Sequence, residues 1–112
     1  MYSLDILPSA ANDLTDIAVY ITYQLKNKDA AKRVVNEILN TINSLATFPY
    51  SHTLHKDNFP LRHEYRKAVV LNYLVFYYVS EPEKRVIVSG VIYAKRNLSE
   101  LLEDKPPKDS LS

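Results

Sequence analysis

Two runs near the end of the chain leave little freedom of fold: Tyr73 to Val79 reads YLVFYYV, and Arg85 to Tyr93 reads RVIVSGVIY. Both are dense in β-branched and aromatic residues, which fit a pleated, half-buried surface. Glu81-Pro82-Glu83-Lys84 lies between them as a turn, so the pair predicts an antiparallel hairpin. The segment Leu61 to Val70 leads into it through Leu71-Asn72, which makes three successive antiparallel strands. Gly90, the only glycine, stands inside the last strand and marks a bulge or a close approach by another backbone.

A sheet with apolar positions on both faces needs a cover, and the upstream half supplies one. Tyr2, Leu4 and Ile6 alternate with Ser3 and Asp5, the period-two pattern of a half-buried strand over residues 2–7, closed by Pro8. Ser9 stands where a helix N-cap belongs. Leu14, Ile17, Ala18, Ile21 and Leu25 then form one stripe of a helix over about residues 10–25. After the polar break Lys26-Asn27-Lys28, Asp29 is placed to cap a second helix, whose stripe is Ala31, Val34, Ile38, Ile42 and Leu45. Residues 50–60 mix Pro, Asn, Asp, Ser and His without periodicity and are expected to form a loop. Asn97 with Glu100, ahead of Leu98, Leu101 and Leu102, resembles a capping box for a short terminal helix, and residues 105–112 are expected to form a disordered tail.

The predicted architecture is therefore α+β. An N-terminal strand and an antiparallel helical hairpin pack on a small, mainly antiparallel sheet of about four strands, followed by a short C-terminal helix. At 112 residues this is one domain, spanning about residues 1–104. With 46% hydrophobic and 24% charged residues it has the composition of a folding domain, and without cysteine it is held by packing alone. The early carboxylates Asp5, Asp13 and Asp16 do not resemble an export signal. The longest mostly apolar run, Val69 to Val79, is too short to span a bilayer, so a cytoplasmic protein without a membrane partner is expected.

A formal net charge of +1 gives no whole-molecule argument for binding nucleic acid, so any such argument is local. His52, His55 and His63 fall close together, but the spacing lacks a carboxylate set, and loop or surface histidines are the better reading than a metal site. No cofactor is expected. The densest basic stretch is Leu61 to Lys67, preceded by Lys56. As a strand it sets Arg62 and Arg66 on one face and His63, Tyr65 and Lys67 on the other. A second basic pair, Lys95-Arg96, follows the last strand; together the two clusters are placed to meet phosphates or to lie on a solvated sheet face. Tyrosines concentrate in the same region, among them Tyr65, Tyr73, Tyr77, Tyr78 and Tyr93, where packing is a commoner role than base stacking.

Two stretches carry a family resemblance. Residues 7–21, LPSAANDLTDIAVYI, are similar to the opening of ParE-like toxins, where a proline-ended strand leads into an A-x-x-D-L-x-x-I helix. Tyr65-Arg66-Lys67, the run from Asn72 to Val79, and Val91 to Leu98 resemble the later strands of the RelE/ParE superfamily, ending in a basic pair. The resemblance covers residues 2–102. It implies the toxin of a type II toxin–antitoxin module, which arrests growth unless a cognate antitoxin binds it. Two mechanisms are implied by it: ribosome-dependent cleavage of mRNA, as in RelE-like members, or inhibition of DNA gyrase, as in ParE-like members. A toxin-fold relic that only binds its partner is a third reading.

Carried over residue by residue, Lys67 and Arg96 match basic positions that RelE-like enzymes use in catalysis. Leu74 stands in place of an arginine, Tyr65 of a lysine and Leu102 of a tyrosine. Cleavage through a 2′-hydroxyl requires proton transfer and positive charge on the phosphorane. On this reading Lys67, Arg66 and Arg96 supply the charge, with His63 and Tyr93 as substitutes for base and acid. Whether the chain is an enzyme is left open at this point.

Overall fold

The computed structural model describes residues 1–56 and 63–94. Chain order is β1 (Ser3–Ile6), α1 (Pro8–Val19), a π-helical turn (Tyr20–Gln24), α2 (Lys28–Ser44), β2 (Thr53–Leu54), β3 (Arg66–Val70), β4 (Tyr73–Ser80) and β5 (Arg85–Tyr93). One sheet holds all five strands in the order β1-β5-β4-β3-β2. Its β1–β5 pair is parallel, Leu4 lying beside Val86 and Ile6 beside Val88, and the other pairs are antiparallel.

The sheet has one strand more than expected. Thr53–Leu54 pairs with Lys67 and Arg66 inside the segment read as loop, so a backbone partner creates a strand where the side chains show no period. The strand expected from Leu61 begins only at Arg66: residues 63–65 are not strand, and residues 61–62 lie outside the described residues. The terminal helix, with Leu98, Leu101 and Leu102, and the tail also lie outside them.

Helix starts differ from expectation in their caps. Leu7 occupies the N-cap position of α1 and Pro8 the first turn, where a missing N–H costs nothing. The Ser9 hydroxyl instead donates to the Ser89 carbonyl at 2.6 Å and so ties the helix to β5. At α2 the cap is Asn27, whose Oδ1 accepts from the Ala30 N–H at 2.9 Å, while Asp29 sits in the first turn, where a carboxylate meets the positive end of the helix dipole. Leu25, at the end of the π turn, is exposed and does not extend the stripe.

Gly90 lies at the expected bulge, but the group that approaches it is a side chain and not another backbone. Phe76 pairs with Gly90 but Tyr77 pairs with Val88, so Ser89 is the extra residue of a bulge. There α1 comes close: Asp13 Oδ2 accepts from the Val91 N–H at 2.9 Å, and a Cβ on Gly90 would stand 3.4 Å from the same oxygen.

The two helical stripes meet one sheet face. Ile21, Val34, Ile38 and Ile42 are buried together with Val75, Tyr77, Val86 and Val88, and Leu14 and Ile17 pack at the margin. Each large aliphatic side chain so buried contributes about 1.5–3 kcal/mol. Ile38 is fully enclosed. Truncating it to alanine is expected to lower stability by about 2–5 kcal/mol. A urea titration checks this by a lower midpoint at unchanged slope.

Candidate functional site

Alternation along β3 decides which candidate residues can act together. Arg66 pairs with Tyr77 and Lys67 with Phe76, and neighbours on a strand point to opposite faces. Arg66 therefore lies on the face that the helices cover, and Lys67 on the opposite face.

On the covered side Arg66 makes two contacts. Its Nη1 donates to the His52 carbonyl at 2.8 Å, and its guanidinium sits 5.0 Å from the centre of the Tyr50 ring. The Tyr50 and Tyr2 hydroxyls both donate to Glu81 Oε2, and Lys84 donates to Glu81 Oε1 at 2.8 Å. One carboxylate in the β4–β5 turn thus joins the start of the chain to the segment after α2. Beneath it, the buried Tyr77 hydroxyl donates to the Pro49 carbonyl at 2.8 Å, and His52 packs edge-on against the Tyr77 ring. The hydrogen bonds from Lys84, Tyr2 and Tyr50 hold the Glu81 carboxyl down to about 2. The same bond to Glu81, with desolvation, pushes the Tyr50 phenol up to about 12.

The opposite face carries a second aromatic group. His63 stacks on Tyr78 with centroids 3.8 Å apart and planes 3° from parallel, and Tyr65 meets both rings edge-on. His55 packs edge-on against Phe76 at 5.1 Å, beside the position of Lys67. Leu74, in the place of the arginine that the resemblance implies, is only 6% exposed and lies between Val69 and Ile92. Tyr93 is on the covered side, 5.4 Å from Tyr73 and 40% exposed. Burial, then Tyr93 and Tyr20, raise the Tyr73 phenol above its ordinary value.

Of the residues proposed from sequence, the structure places His63 and Lys67 on one face and Arg66 and Tyr93 on the other. Arg96, with Arg62 and Lys95, lies outside the described residues. Two other cations near the sheet are ion-paired: Arg85 with Asp5 and Glu83, and Lys84 with Glu81. A groove of about 740 Å³ opens beside the β4–β5 turn, with Asp5, Glu64, Glu81 and Glu83 against Arg66 and Arg85. Four carboxylates against two guanidinium groups suit it poorly to a phosphate chain. Among the described residues no group of three or more His, Asp or Glu is arranged to hold a metal ion. The Tyr2–Glu81–Tyr50 junction was invisible in the sequence, because its members stand 79 and 31 positions from Glu81.

A sequence profile of the ParE toxin of type II toxin–antitoxin systems, parDE, matches residues 4–98. The chain belongs to the ParE toxin family. As a ParE-family chain it is a type II toxin of the RelE/ParE superfamily, and its fold has close counterparts. It is similar to the chromosomal ParDE system from P. aeruginosa, at 18% identity over 83% of this chain and 96% of that one, with a TM-score of 0.67. The RelBE2 toxin–antitoxin complex from Mycobacterium tuberculosis is similar at 17% identity, 82% and 96% coverage and a TM-score of 0.57. The isolated E. coli RelE toxin is similar at 15% identity, 93% and 98% coverage and a TM-score of 0.57. At these identities the likeness is one of fold. No curated protein sequence matches the chain.

The junction of this ParE-family chain responds to pH in a defined direction. Glu81 titrates below its ordinary 4.5 when folded, so its contribution is complete above about 4.5 and is lost as pH falls toward about 2. Tyr50 titrates above its ordinary 10.0, so its contribution is complete below about 10 and is lost as pH rises through about 12. Glu81→Gln is expected to be less stable than the parent at pH 6 and to match it near pH 2, as read by thermal melts across that range.

Proposed function

We propose that this chain acts in the cytoplasm as the growth-arresting half of a toxin–antitoxin module, held inactive by a cognate antitoxin, and that its target is DNA gyrase. Membership of the ParE family supports the first part, as does similarity to a ParDE system and to a RelBE2 toxin–antitoxin complex. In the described residues no helix is long and apolar enough to cross a membrane.

The observation that favours gyrase over RNA is the engagement of Arg66. A cation that stabilises a phosphorane must be aimed at the reacting phosphate. Arg66 instead holds the His52 carbonyl and the Tyr50 ring, and Lys67 next to it faces the other way. Leu74 adds a buried apolar side chain where the resemblance implies a third cation. The presence of Lys67 and His63 on one face supports ribosome-dependent mRNA cleavage as a second reading. On that reading Lys67 and Arg96 would stabilise charge and His63 would take part in proton transfer, while Tyr93, on the opposite face, drops out of the set.

Induced expression separates the two. A gyrase poison is expected to change plasmid supercoiling and trap gyrase on DNA while ribosomal mRNA stays intact, and the Lys67→Ala, Arg96→Ala double variant is expected still to arrest growth. Co-expression of the small protein encoded in the adjoining reading frame is expected to restore growth. An mRNA nuclease would instead cut message on the ribosome and lose about a hundredfold or more in cleavage on Arg96→Ala. That outcome would reject gyrase as target.

A further inference from the structure

The tip of the helical hairpin collects positive charge. Residues 20–36 hold Lys26, Lys28, Lys32 and Arg33 against the single carboxylate Asp29, in a chain whose 14 Lys and Arg face 13 Asp and Glu. The formal net charge of +1 thus conceals a basic tip on a chain that is net acidic elsewhere. All four cations are exposed, as are Tyr23, at 71%, and Tyr20 and Leu25. Lys28 and Lys32 stand one turn apart on α2, which sets their Cβ atoms about 5–6 Å from each other. The nearest carboxylates along the two helices outside the stretch are Asp16 on α1 and Glu37 on α2.

The fold holds this tip away from the carboxylates of the β4–β5 turn. Ser9 bonds to Ser89 and Asp13 to Val91, so α1 advances along β5 toward Tyr93, and Tyr20 comes close to Tyr73. Tyr73 opens β4, and Glu81 and Glu83 follow its other end eight residues on, a span of about 26 Å. That is several times the Debye length of about 8 Å at physiological salt, so those carboxylates do not cancel the field of the tip. Backbone geometry adds a second observation. Lys26 stands at φ 54 just past the π turn, the left-handed position at which helices end on glycine or asparagine. Lys84, in the same conformation, is ion-paired to Glu81 and lies over the Tyr2 ring. The Lys26 side chain is exposed, so what it adds over a glycine is charge at the point where the hairpin reverses.

We infer that the hairpin tip, through Lys26, Lys28, Lys32, Arg33 and the Tyr23 hydroxyl, binds the phosphate backbone of the duplex DNA that gyrase holds. Duplex DNA carries one negative charge per about 1.7 Å of its axis, a density that suits several cations crowded into one hairpin end. Lysine, arginine and tyrosine are all donors to phosphate oxygens, and such contacts position a protein without reading sequence. The inference rests on the gyrase reading above. It adds that the toxin engages the enzyme together with its DNA and names the surface that touches the DNA.

The experiment uses the full chain with purified gyrase and a linear DNA duplex. Because the chain has no cysteine, Tyr23→Cys and, at the far end of the sheet, Pro82→Cys can each carry a single photo-crosslinker. Light is expected to join the Tyr23→Cys probe to DNA in the presence of gyrase, and the Pro82→Cys probe not to reach DNA. The Lys28→Gln, Lys32→Gln double variant should need at least about tenfold more toxin to trap gyrase on DNA, and its salt dependence should fall by about two phosphate contacts. Lys26→Gly should trap less well while melting no lower than the parent, since it removes charge and relieves the backbone. A merely structural lysine would move stability and not the salt slope. If the parent traps gyrase while the lysine variants trap equally well and the Tyr23→Cys probe labels only gyrase subunits, the occupant is an acidic protein surface. That outcome overturns the inference and leaves the gyrase reading intact. A parent chain that neither changes supercoiling nor traps gyrase rejects the gyrase reading and the inference with it.

Discussion

The parallel pairing of β1 with β5 is the constraint on which the other elements depend. It brings Ser3–Ile6 beside residues some eighty positions later, with the Ser3 N–H on the Lys84 carbonyl, the Leu7 N–H on Val88 and Asp5 ion-paired to Arg85. A parallel neighbour cannot be reached by a tight turn, so a long connection must intervene, and here it includes both helices. Pro8 starts α1 directly after β1, and the Ser9 and Asp13 side chains fasten that helix to the bulge in β5. One sheet face is thereby covered. The other carries Lys67, Phe76 and Tyr78 together with the buried Leu74 and Ile87.

Legibility in the sequence followed the range of the interaction. The β4–β5 hairpin, the two stripes around Ile21 and Ile38, and the special place of Gly90 all rest on local pattern, and each is present. β2 was not legible, since two residues have no period and exist as a strand only through Arg66 and Lys67. Capping was misread at Ser9 and Asp29 because several small polar residues compete at each helix start, and the chain's path through Leu7 and Asn27 selects among them.

The candidate site was legible in residue type and in part in geometry. Alternation correctly separates Arg66 from Lys67, yet nothing local shows that Arg66 is drawn to the His52 carbonyl and the Tyr50 ring, or that Glu81 fixes that ring through its hydroxyl. A run of basic residues therefore looks like one charged surface in sequence, while in the fold Arg66 is a structural cation and Lys67, without an ion-pair partner among the described residues, lies on the opposite face. That division shapes the proposal of a gyrase target.

The division is tested most directly by comparing two isosteric neutral variants, Arg66→Met and Lys67→Met, in thermal melts of the purified chain. Loss of a charge-assisted bond to a carbonyl lowers stability by about 1.5–3 kcal/mol, which in a domain of this size lowers the midpoint by about 4 °C or more. Arg66→Met is expected to show that loss and Lys67→Met to melt as the parent does. Equal melting of the Arg66→Met variant and the parent would contradict the structural role of Arg66 and return it to the candidates for chemistry.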